Sequence, residues 1–189
     1  SVYGYTKLVQ EQLSMIVAKA SNVPLVALRF QNVYGPGQSL SNPYTGILSI
    51  FSTRIRNEND INVFEDGMES RDFVYIDDVI DSICLAIESE KANYQSINIG
   101  SGVATTVLTI AETLVDAYEA NVTVNVSGNY RLGDIRHNIA DIAKAKELIG
   151  YTPKMDFQTG IKRFVSWVKT QDRNKDDYEK SIEEMKRKG

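Results

Sequence analysis

Residues 24–30 read Pro-Leu-Val-Ala-Leu-Arg-Phe, a short run in which Arg29 is the one charged side chain. A nearly continuous apolar run of this length is typical of a strand that is buried on both faces of a parallel sheet. The residues before it, about 4–21, carry apolar side chains at helical spacing and predict a helix. The chain therefore starts with a helix that leads into a buried strand.

The remainder of the chain repeats this alternation. Short runs of apolar residues predict strands over 61–64, 71–76, 96–99 and 122–126, with helical patterns between and after them. Strands that alternate with helices define the α/β class. Residues 169–189 are densely charged, which predicts a solvated helix or a frayed end.

Two helix signals are more specific than this general pattern. Asp77 can cap a helix, and the residues after it that share helical spacing predict the buried face of that helix: Val79, Ile80, Ile83, Cys84 and Ile87. Thr109 and Glu112 have the spacing of a capping box, which predicts that another helix begins there.

The composition argues against several classes of protein. At 189 residues the chain can form one domain or two small ones, and its net charge of −4 argues against a dedicated nucleic-acid binder. No apolar run approaches the roughly 18 residues of a membrane span. The single cysteine, Cys84, cannot form an internal disulfide, which favours a cytoplasmic location. The single histidine, His137, argues against a protein-built zinc site, so no metal is expected.

Tyr3 and Lys7 are four residues apart, so on a helix both side chains project from one face. A neighbouring ammonium group stabilises a phenolate and lowers the pKa of a tyrosine. A tyrosine in that setting can act as a general base toward a hydroxyl group. The same spacing separates Lys7 from Glu11, and a surface ion pair between those two residues is the alternative interpretation.

Five segments, in this order, resemble the extended short-chain dehydrogenase/reductases, the family of NAD-dependent nucleotide-sugar epimerases and dehydratases. They are Tyr3–Glu11 (YGYTKLVQE), Leu28–Pro36 (LRFQNVYGP), Asp66–Val79 (DGMESRDFVYIDDV), Asn98–Gly102 (NIGSG) and Arg131–Ala145 (RLGDIRHNIADIAKA). The resemblance spans residues 1–168, and residues 41–46 (SNPYTG) further resemble one branch of the 4-epimerases.

The resemblance implies an α/β fold in which the C-terminal part of a Rossmann-type parallel sheet is interleaved with a small α/β substrate-binding lobe. Residues 1–35 and about 72–100 would belong to the Rossmann domain, and residues of about 36–71 and 101–168 to the lobe. It also implies a homodimer that packs through the Tyr3–Lys7 helix.

The same resemblance implies a chemistry: epimerisation at C4 of a nucleoside-diphosphate sugar through a 4-keto intermediate, with NAD as the cofactor. Tyr3 would deprotonate the C4 hydroxyl, and Lys7 would hold the nicotinamide ribose. Phe30, Asn32 and Val33 are expected beside the nicotinamide.

The resemblance also implies a set of substrate ligands. Asn32 and Arg131 would bind the diphosphate, and Asp134 would accept hydrogen bonds from ribose hydroxyls. The alternatives are that Asn32 holds its own loop and that Arg131 and Asp134 are surface charges.

Arg71 is expected to be a second diphosphate ligand, because its planar guanidinium group can bind two phosphate oxygens at once. Its alternative role is a structural ion pair with Asp72 or Glu69.

The glycine pairs Gly35-x-Gly37 and Gly100-x-Gly102 do not continue as the glycine fingerprint of dinucleotide-binding sites. That fingerprint is expected upstream of Ser1, and these residues alone are therefore expected to bind NAD weakly and to be inactive. A nucleotide-sugar 4,6-dehydratase or decarboxylase of the same family remains an alternative, and so does a non-catalytic nucleotide-sugar-binding remnant.

Overall fold

The structure is a computed structural model that describes residues 2–40, 46–129 and 135–173. Helices and strands alternate along the chain, which confirms the α/β prediction. The helices are α1 (Val2–Ala20), α2 (Ile47–Arg56), α3 (Ile76–Glu88), α4 (Val107–Tyr118), α5 (Ala143–Ile149) and α6 (Phe157–Lys169). The strands are β1 (Val26–Phe30), β2 (Asn32–Tyr34), β3 (Ile61–Val63), β4 (Ser70–Arg71), β5 (Phe73–Tyr75), β6 (Gln95–Ile99), β7 (Thr105–Thr106), β8 (Val124–Val126) and β9 (His137–Asn138).

The apolar strand β1 pairs in parallel with β6, from Val26 opposite Gln95 to Phe30 opposite Ile99. Side chains alternate between the two faces of such a pair. One face packs against α3 and α5 in a core cluster whose buried members are Ala86, Ala92, Ile97, Ile99, Ala145, Ile149 and Tyr151. The Tyr151 hydroxyl donates to the Gly100 carbonyl (2.9 Å) and fixes the end of β6 to this cluster.

A second parallel pair, β2 with β5, follows directly on the first. The Gln31 amide still donates to the Ile99 carbonyl (2.9 Å), whereas the Asn32 amide donates to the Asp72 carbonyl (3.0 Å). The chain therefore passes from one parallel pair to the next at Gln31, beside the carboxyl ends of β1 and β6.

The second core cluster forms around Tyr34, which is almost fully buried. Its ring centroid lies 6.1 Å from that of Phe73, 5.4 Å from that of Tyr75 and 5.8 Å from that of Phe157. Helix α6 approaches closely at Gly160, where a Cβ atom would overlap the Tyr34 hydroxyl. The other buried members come mostly from α2, β3, α4 and α6: Leu48, Phe51, Ile55, Ile61, Val63, Ile110, Ala111, Leu114, Ile161, Phe164, Val165 and Val168.

Smaller sheets complete the fold. Strand β3 pairs in parallel with β8, and β4 lies between β7, which is antiparallel to it, and β9, which is parallel.

The correspondence between the two core clusters and the two predicted domains stays a prediction. Among the described helices, none combines the length and the hydropathy of a membrane-spanning segment.

Helix α3 differs from its prediction. Its buried residues are Asp78, Val79, Ser82 and Ala86. Four of the five residues predicted to be buried are exposed instead: Ile80, Ile83, Cys84 and Ile87. The helix begins at Ile76, so Asp77 lies in its first turn and is not its cap. The helical period of the sequence correctly indicates an apolar face on α3. Which face becomes buried depends on the elements that pack against the helix, and the period of α3 alone does not contain that information.

The start of α4 also differs from its prediction. Thr106 is the N-cap, and its hydroxyl accepts a hydrogen bond from the Thr109 amide (3.1 Å). The capping box predicted for Thr109 and Glu112 is therefore wrong by one helical turn. Thr106 is itself a good capping residue, and the pairing of β7 with β4 brings it to this position.

Candidate active site

Helix α1 contacts the β1–β6 pair through one face. Glu11 and Met15 are half-buried and Ala18 is buried, whereas the rest of α1 is exposed in the part of the chain that the structure describes. The Glu11 carboxylate accepts hydrogen bonds from Arg29 Nε (2.7 Å) and Nη2 (2.6 Å) of β1, and from Ser96 Oγ (2.8 Å) of β6. The hydrogen bond from Arg29 lowers the pKa of the Glu11 carboxyl below its ordinary value. Glu11 is thus tied to both strands.

These contacts place the predicted catalytic pair. A short turn joins α1 to β1, and in it the Val23 amide donates to the Ala18 carbonyl (2.9 Å), so the helix runs antiparallel to the strand. Lys7 and Tyr3 therefore lie about 6 and 12 Å beyond Glu11, toward the carboxyl ends of the strands. Lys7 Nζ lies 5.5 Å from the centroid of the Tyr3 ring. The structure brings Tyr3 and Lys7 together, and it pairs Glu11 with Arg29 rather than with Lys7.

Three further predicted residues lie at the same edge. Phe30, at the end of β1, and Val33, in β2, are 43% and 38% exposed. The prediction that β1 is buried on both faces is wrong for the described part of the chain, where β1 pairs with β6 alone and its residues are half-buried or exposed. Asn32 is exposed, and its Nδ2 donates to the Asp72 carbonyl across the β2–β5 pair (3.1 Å). Open α/β sheets bind ligands beyond the carboxyl ends of their strands. The predicted contact of these side chains with the nicotinamide end of NAD stays a prediction.

Gln31 lies inside the segment Phe30 to Val33 that is expected beside the nicotinamide, but no role of its own was predicted for it. Its Oε1 is buried and has no hydrogen-bond partner in the described part of the chain. A buried acceptor without a donor is rare in folded proteins. The sequence signal that could have revealed Gln31 as a site residue is its position between Phe30 and Asn32, two residues that were predicted to lie beside the nicotinamide.

Asp72 connects the pieces of this edge. It is fully buried, and its Oδ1 accepts from the Ser101 amide (2.7 Å) and hydroxyl (2.6 Å). Its Oδ2 accepts from the amides of Gly102 (2.9 Å) and Ala140 (3.2 Å). A Cβ atom at Gly100 would overlap Asp72 Oδ2, so this turn requires glycine there. Asp72 is therefore a structural residue that holds the Gly100–Gly102 turn against the start of β5.

Arg71 does not bind Asp72. Its Nη1 donates to the carbonyls of Ser70 (2.9 Å) and Arg136 (3.1 Å). Neighbouring residues along an extended chain point to opposite sides, which excludes the Asp72 pairing that the sequence left open. The half-buried guanidinium group is thus oriented by backbone oxygens of β4 and of the segment before β9.

The sequence left a second ion-pair partner open for Arg71, the carboxylate of Glu69. In the structure this carboxylate faces Arg136 instead. Arg136 binds Glu65 (Nη1–Oε2, 2.9 Å) and Asp66 (Nη2–Oδ2, 2.6 Å), and its Nη1 lies 3.9 Å from Glu69 Oε1. The bond to Arg136 lowers the pKa of the Asp66 carboxyl, whereas burial and the neighbouring Glu65 raise the pKa of the Glu69 carboxyl. The three carboxylates converge on one arginine that offsets part of their charge.

Arg131 and Asp134, the remaining predicted substrate ligands, lie outside the described residues. The residues that flank them are held by the strand segment that carries Arg71. On one side, the Glu65 amide donates to the Asn129 carbonyl (2.7 Å), and on the other the Ser70 amide donates to the Arg136 carbonyl (2.8 Å).

A second apolar face of α1 points away from the sheet. At about 100° per residue, five exposed apolar side chains lie on the side opposite to Glu11. They form the outer stripe of α1: Val2, Tyr5, Val9, Leu13 and Ile16.

A parallel α/β unit with a Tyr–Lys helix at its carboxyl edge is the arrangement of the Rossmann-type short-chain dehydrogenase/reductase class. The family model described as "NAD dependent epimerase/dehydratase family" matches residues 1–100, and the chain belongs to that family.

Three relatives show how far the similarity extends. The dTDP-L-rhamnose 4-epimerase of Burkholderia thailandensis is 42% identical over 168 residues, which cover 89% of this chain and 46% of that protein. The structure of UDP-N-acetylglucosamine 4-epimerase from Methanobrevibacter ruminantium has a TM-score of 0.83 at 30% identity, over 91% of this chain and 55% of that one. The UDP-glucuronic acid 4-epimerase of Bacillus cereus, solved with UDP-glucuronic acid and NAD, has a TM-score of 0.79 at 31% identity, over 89% and 52%. The chain spans about half the length of the curated relatives it matches.

Proposed function

We propose that the full-length protein is an NAD-dependent 4-epimerase of a nucleoside-diphosphate sugar. The observation that carries the proposal is the position of Tyr3 and Lys7, close together and beyond the carboxyl edge of β1 and β6. The 42% identity to a dTDP-L-rhamnose 4-epimerase makes a dTDP-6-deoxyhexose the first substrate to test. A cytoplasmic location is part of the same proposal.

In this mechanism Tyr3 takes the proton of the sugar C4 hydroxyl, and the positive charge of Lys7 stabilises the phenolate. NAD, when bound, would accept the C4 hydride and return it to the opposite face of the sugar. Phe30 and Val33 would cover the nicotinamide and exclude water. Lys7 would hold the nicotinamide ribose, and Asn32 would hold the diphosphate of the nucleotide sugar. Tyr3 then returns its proton to the C4 oxygen, so protons balance over one turnover.

Product analysis of the full-length protein tests this function. An epimerase yields a C4 epimer of unchanged mass, which proton NMR of the sugar resolves. A 4,6-dehydratase yields a product that has lost water, and a decarboxylase one that has lost carbon dioxide. A non-catalytic binding protein returns the nucleotide sugar unchanged.

Arg71 is proposed to bind the diphosphate together with Asn32 and Arg131, and Asp134 is proposed to accept hydrogen bonds from the ribose hydroxyls. Arg131 and Asp134 lie outside the described residues. The support is that the carbonyl of Arg136 orients the Arg71 guanidinium, while Arg136 and Asn129 flank residues 130–134 in the chain.

Arg71→Lys is expected to weaken binding of the nucleoside diphosphate by about 1.5–3 kcal/mol, because lysine keeps the charge and loses the planar fork. Calorimetry with the diphosphate and with the bare nucleoside measures this, and the nucleoside should show little difference. Arg56→Lys is the matched control, since Arg56 also donates to two backbone carbonyls, those of Gln171 and Asp172. Equal losses for nucleoside and diphosphate would mean that Arg71 supports the fold and not the ligand.

A homodimer through α1 is part of the proposal. Its support is the outer stripe of α1, which is a continuous apolar surface on the side of the helix away from its own sheet.

Val9→Glu should convert the dimer to a monomer, because an unpaired carboxylate in an apolar contact is costly. Light scattering should report about half the mass of the unaltered protein. Ser14→Glu adds the same charge about 140° away around the helix and should leave the mass unchanged. A Val9→Glu protein that stays dimeric would exclude this interface.

A further inference from the structure

Helix α1 carries the proposed catalytic pair, and it makes few apolar contacts with the described part of this chain. Met15 and Ala18 are its only apolar side chains that are half-buried or buried in the described part of the chain. Both lie in the half of the helix remote from Tyr3. These two contacts, together with the turn that joins α1 to β1, fix the C-terminal half of the helix. The half that carries Tyr3 and Lys7 has no buried apolar side chain among the described residues.

Glu11 makes directional contacts from α1 to the sheet in the described part of the chain. Arg29 donates two hydrogen bonds through one planar group, a geometry that fixes both distance and angle. Ser96 adds a third bond from the neighbouring strand. The Glu11 side chain is only 18% exposed, so solvent competes weakly for it. Lys144 of α5 donates to the Ser96 carbonyl (2.9 Å) and adds a further positive charge near the carboxylate.

Glu11 also occupies the right position on the helix for this purpose. It follows Lys7 by four residues and Tyr3 by eight, so the three side chains lie along one side of α1. A shift or rotation of the helix at Glu11 is transmitted to Tyr3 almost unchanged, because an intact helix moves as a rigid rod. A displacement of about 1 Å at a reacting group can cost about 100-fold in rate.

We propose that Glu11 is a positioning residue, whose bonds to Arg29 and Ser96 set the height and rotation of α1 and so place Tyr3 and Lys7 at the carboxyl edge. The consequence for catalysis rests on the proposed function, whereas the consequence for the geometry of α1 does not.

The kinetic test uses Glu11→Ala and Glu11→Gln in the full-length protein. Glu11→Ala is expected to lower kcat by about 10- to 100-fold while KM for the nucleotide sugar changes by less than about threefold, since the diphosphate ligands are untouched. Glu11→Gln keeps the length and one acceptor oxygen, so its kcat should lie between those of Glu11→Ala and the unaltered protein. Asp81→Asn is the control, because Asp81 lies on α3 and its substitution removes an ion pair with Lys154 that does not involve α1.

A purely structural ion pair would lower the melting temperature of the Glu11 variants and leave kcat unchanged at temperatures where they are folded. A purely structural role is also indicated if the kcat of both Glu11 variants equals that of Asp81→Asn. Either result would overturn the proposal.

A distance measurement separates this inference from the proposed activity. Spin labels at Thr6 and Val103, in the full-length protein with all of its native cysteines, Cys84 among them, replaced by serine, report the position of α1 relative to the end of β6; both sites are exposed in this structure. Glu11→Ala should broaden or shift the distance distribution, and Asp81→Asn should leave it unchanged. If the unaltered protein proves inactive on every nucleotide sugar, the proposed function fails and the distances alone decide: an unchanged distribution in Glu11→Ala refutes the positioning role.

Discussion

Tyr3→Phe in the full-length protein is expected to lower kcat by about 100-fold or more, because a positioned general base typically contributes about 10²–10⁴ in rate. The phenylalanine ring keeps the packing of tyrosine and loses only the hydroxyl group. Affinity for the nucleotide sugar should therefore stay close to that of the unaltered protein. Steady-state kinetics, combined with calorimetric binding of the nucleotide sugar, measure the two quantities separately.

Tyr5→Phe is the matched control for this experiment. Tyr5 lies on the same helix and is equally exposed (73%, against 71% for Tyr3), but it belongs to the outer stripe of α1. Its loss of a hydroxyl group should leave kcat unchanged. If Tyr3→Phe kept its activity within a factor of three, Tyr3 would not be the base. Another group would then have to take the proton; Tyr34 is unsuited, since burial raises the pKa of its phenol.

Asp72→Ala is expected to lower the free energy of unfolding by about 1–3 kcal/mol, the cost of an unsatisfied buried polar group. The substitution removes the acceptor of the Ser101, Gly102 and Ala140 amides, of which that of Ala140 belongs to a buried residue. The loss is partial where water enters the space that the carboxylate leaves. Urea-induced unfolding of the full-length protein, followed by circular dichroism, measures it.

Gly100→Ala tests the same contact from the other side. Its Cβ atom would overlap Asp72 Oδ2, so we expect a loss of stability even though Asp72 is unchanged. Asp77→Ala is the control, since its exposed carboxylate lies 3.7 Å from Arg163 and should contribute less than about 1 kcal/mol. A stability of Asp72→Ala within error of Asp77→Ala would show that the buried carboxylate is not what holds the turn.

The sequence was sufficient for the alternation of helices and strands, but three short strands were not predicted: β2, β7 and β9. The apolar run at 24–30 predicted β1 correctly as a strand, although the burial on both faces that such a run indicates is not found among the described residues. The Tyr3–Lys7 spacing predicted two side chains on one helical face, since that follows from helical geometry alone. These are local properties, and the structure places both as expected.

Partner choice could not be predicted in the same way. Glu11 had Lys7 as its neighbour along the helix, and the structure gives it Arg29 and Ser96, which are distant in sequence. Arg71 had Asp72 next to it, and the structure turns that carboxylate toward Ser101 instead. In both cases a local pair competes with partners that only the folded chain brings within reach.

The sequence by itself determined the α/β alternation, the motif positions and the family, because these depend on residue types and on spacings of a few residues. Tertiary structure alone decided which face of α3 is buried: the sheet accepts the smaller side chains of Ser82 and Ala86 and leaves Ile80, Ile83 and Ile87 exposed. It also decided that Asp72 is fully buried and carries the turn at the site. The physical reason is the same for both, since burial and hydrogen-bond partners are set by whichever surfaces meet, and a period along one helix or strand carries no information about the surface opposite.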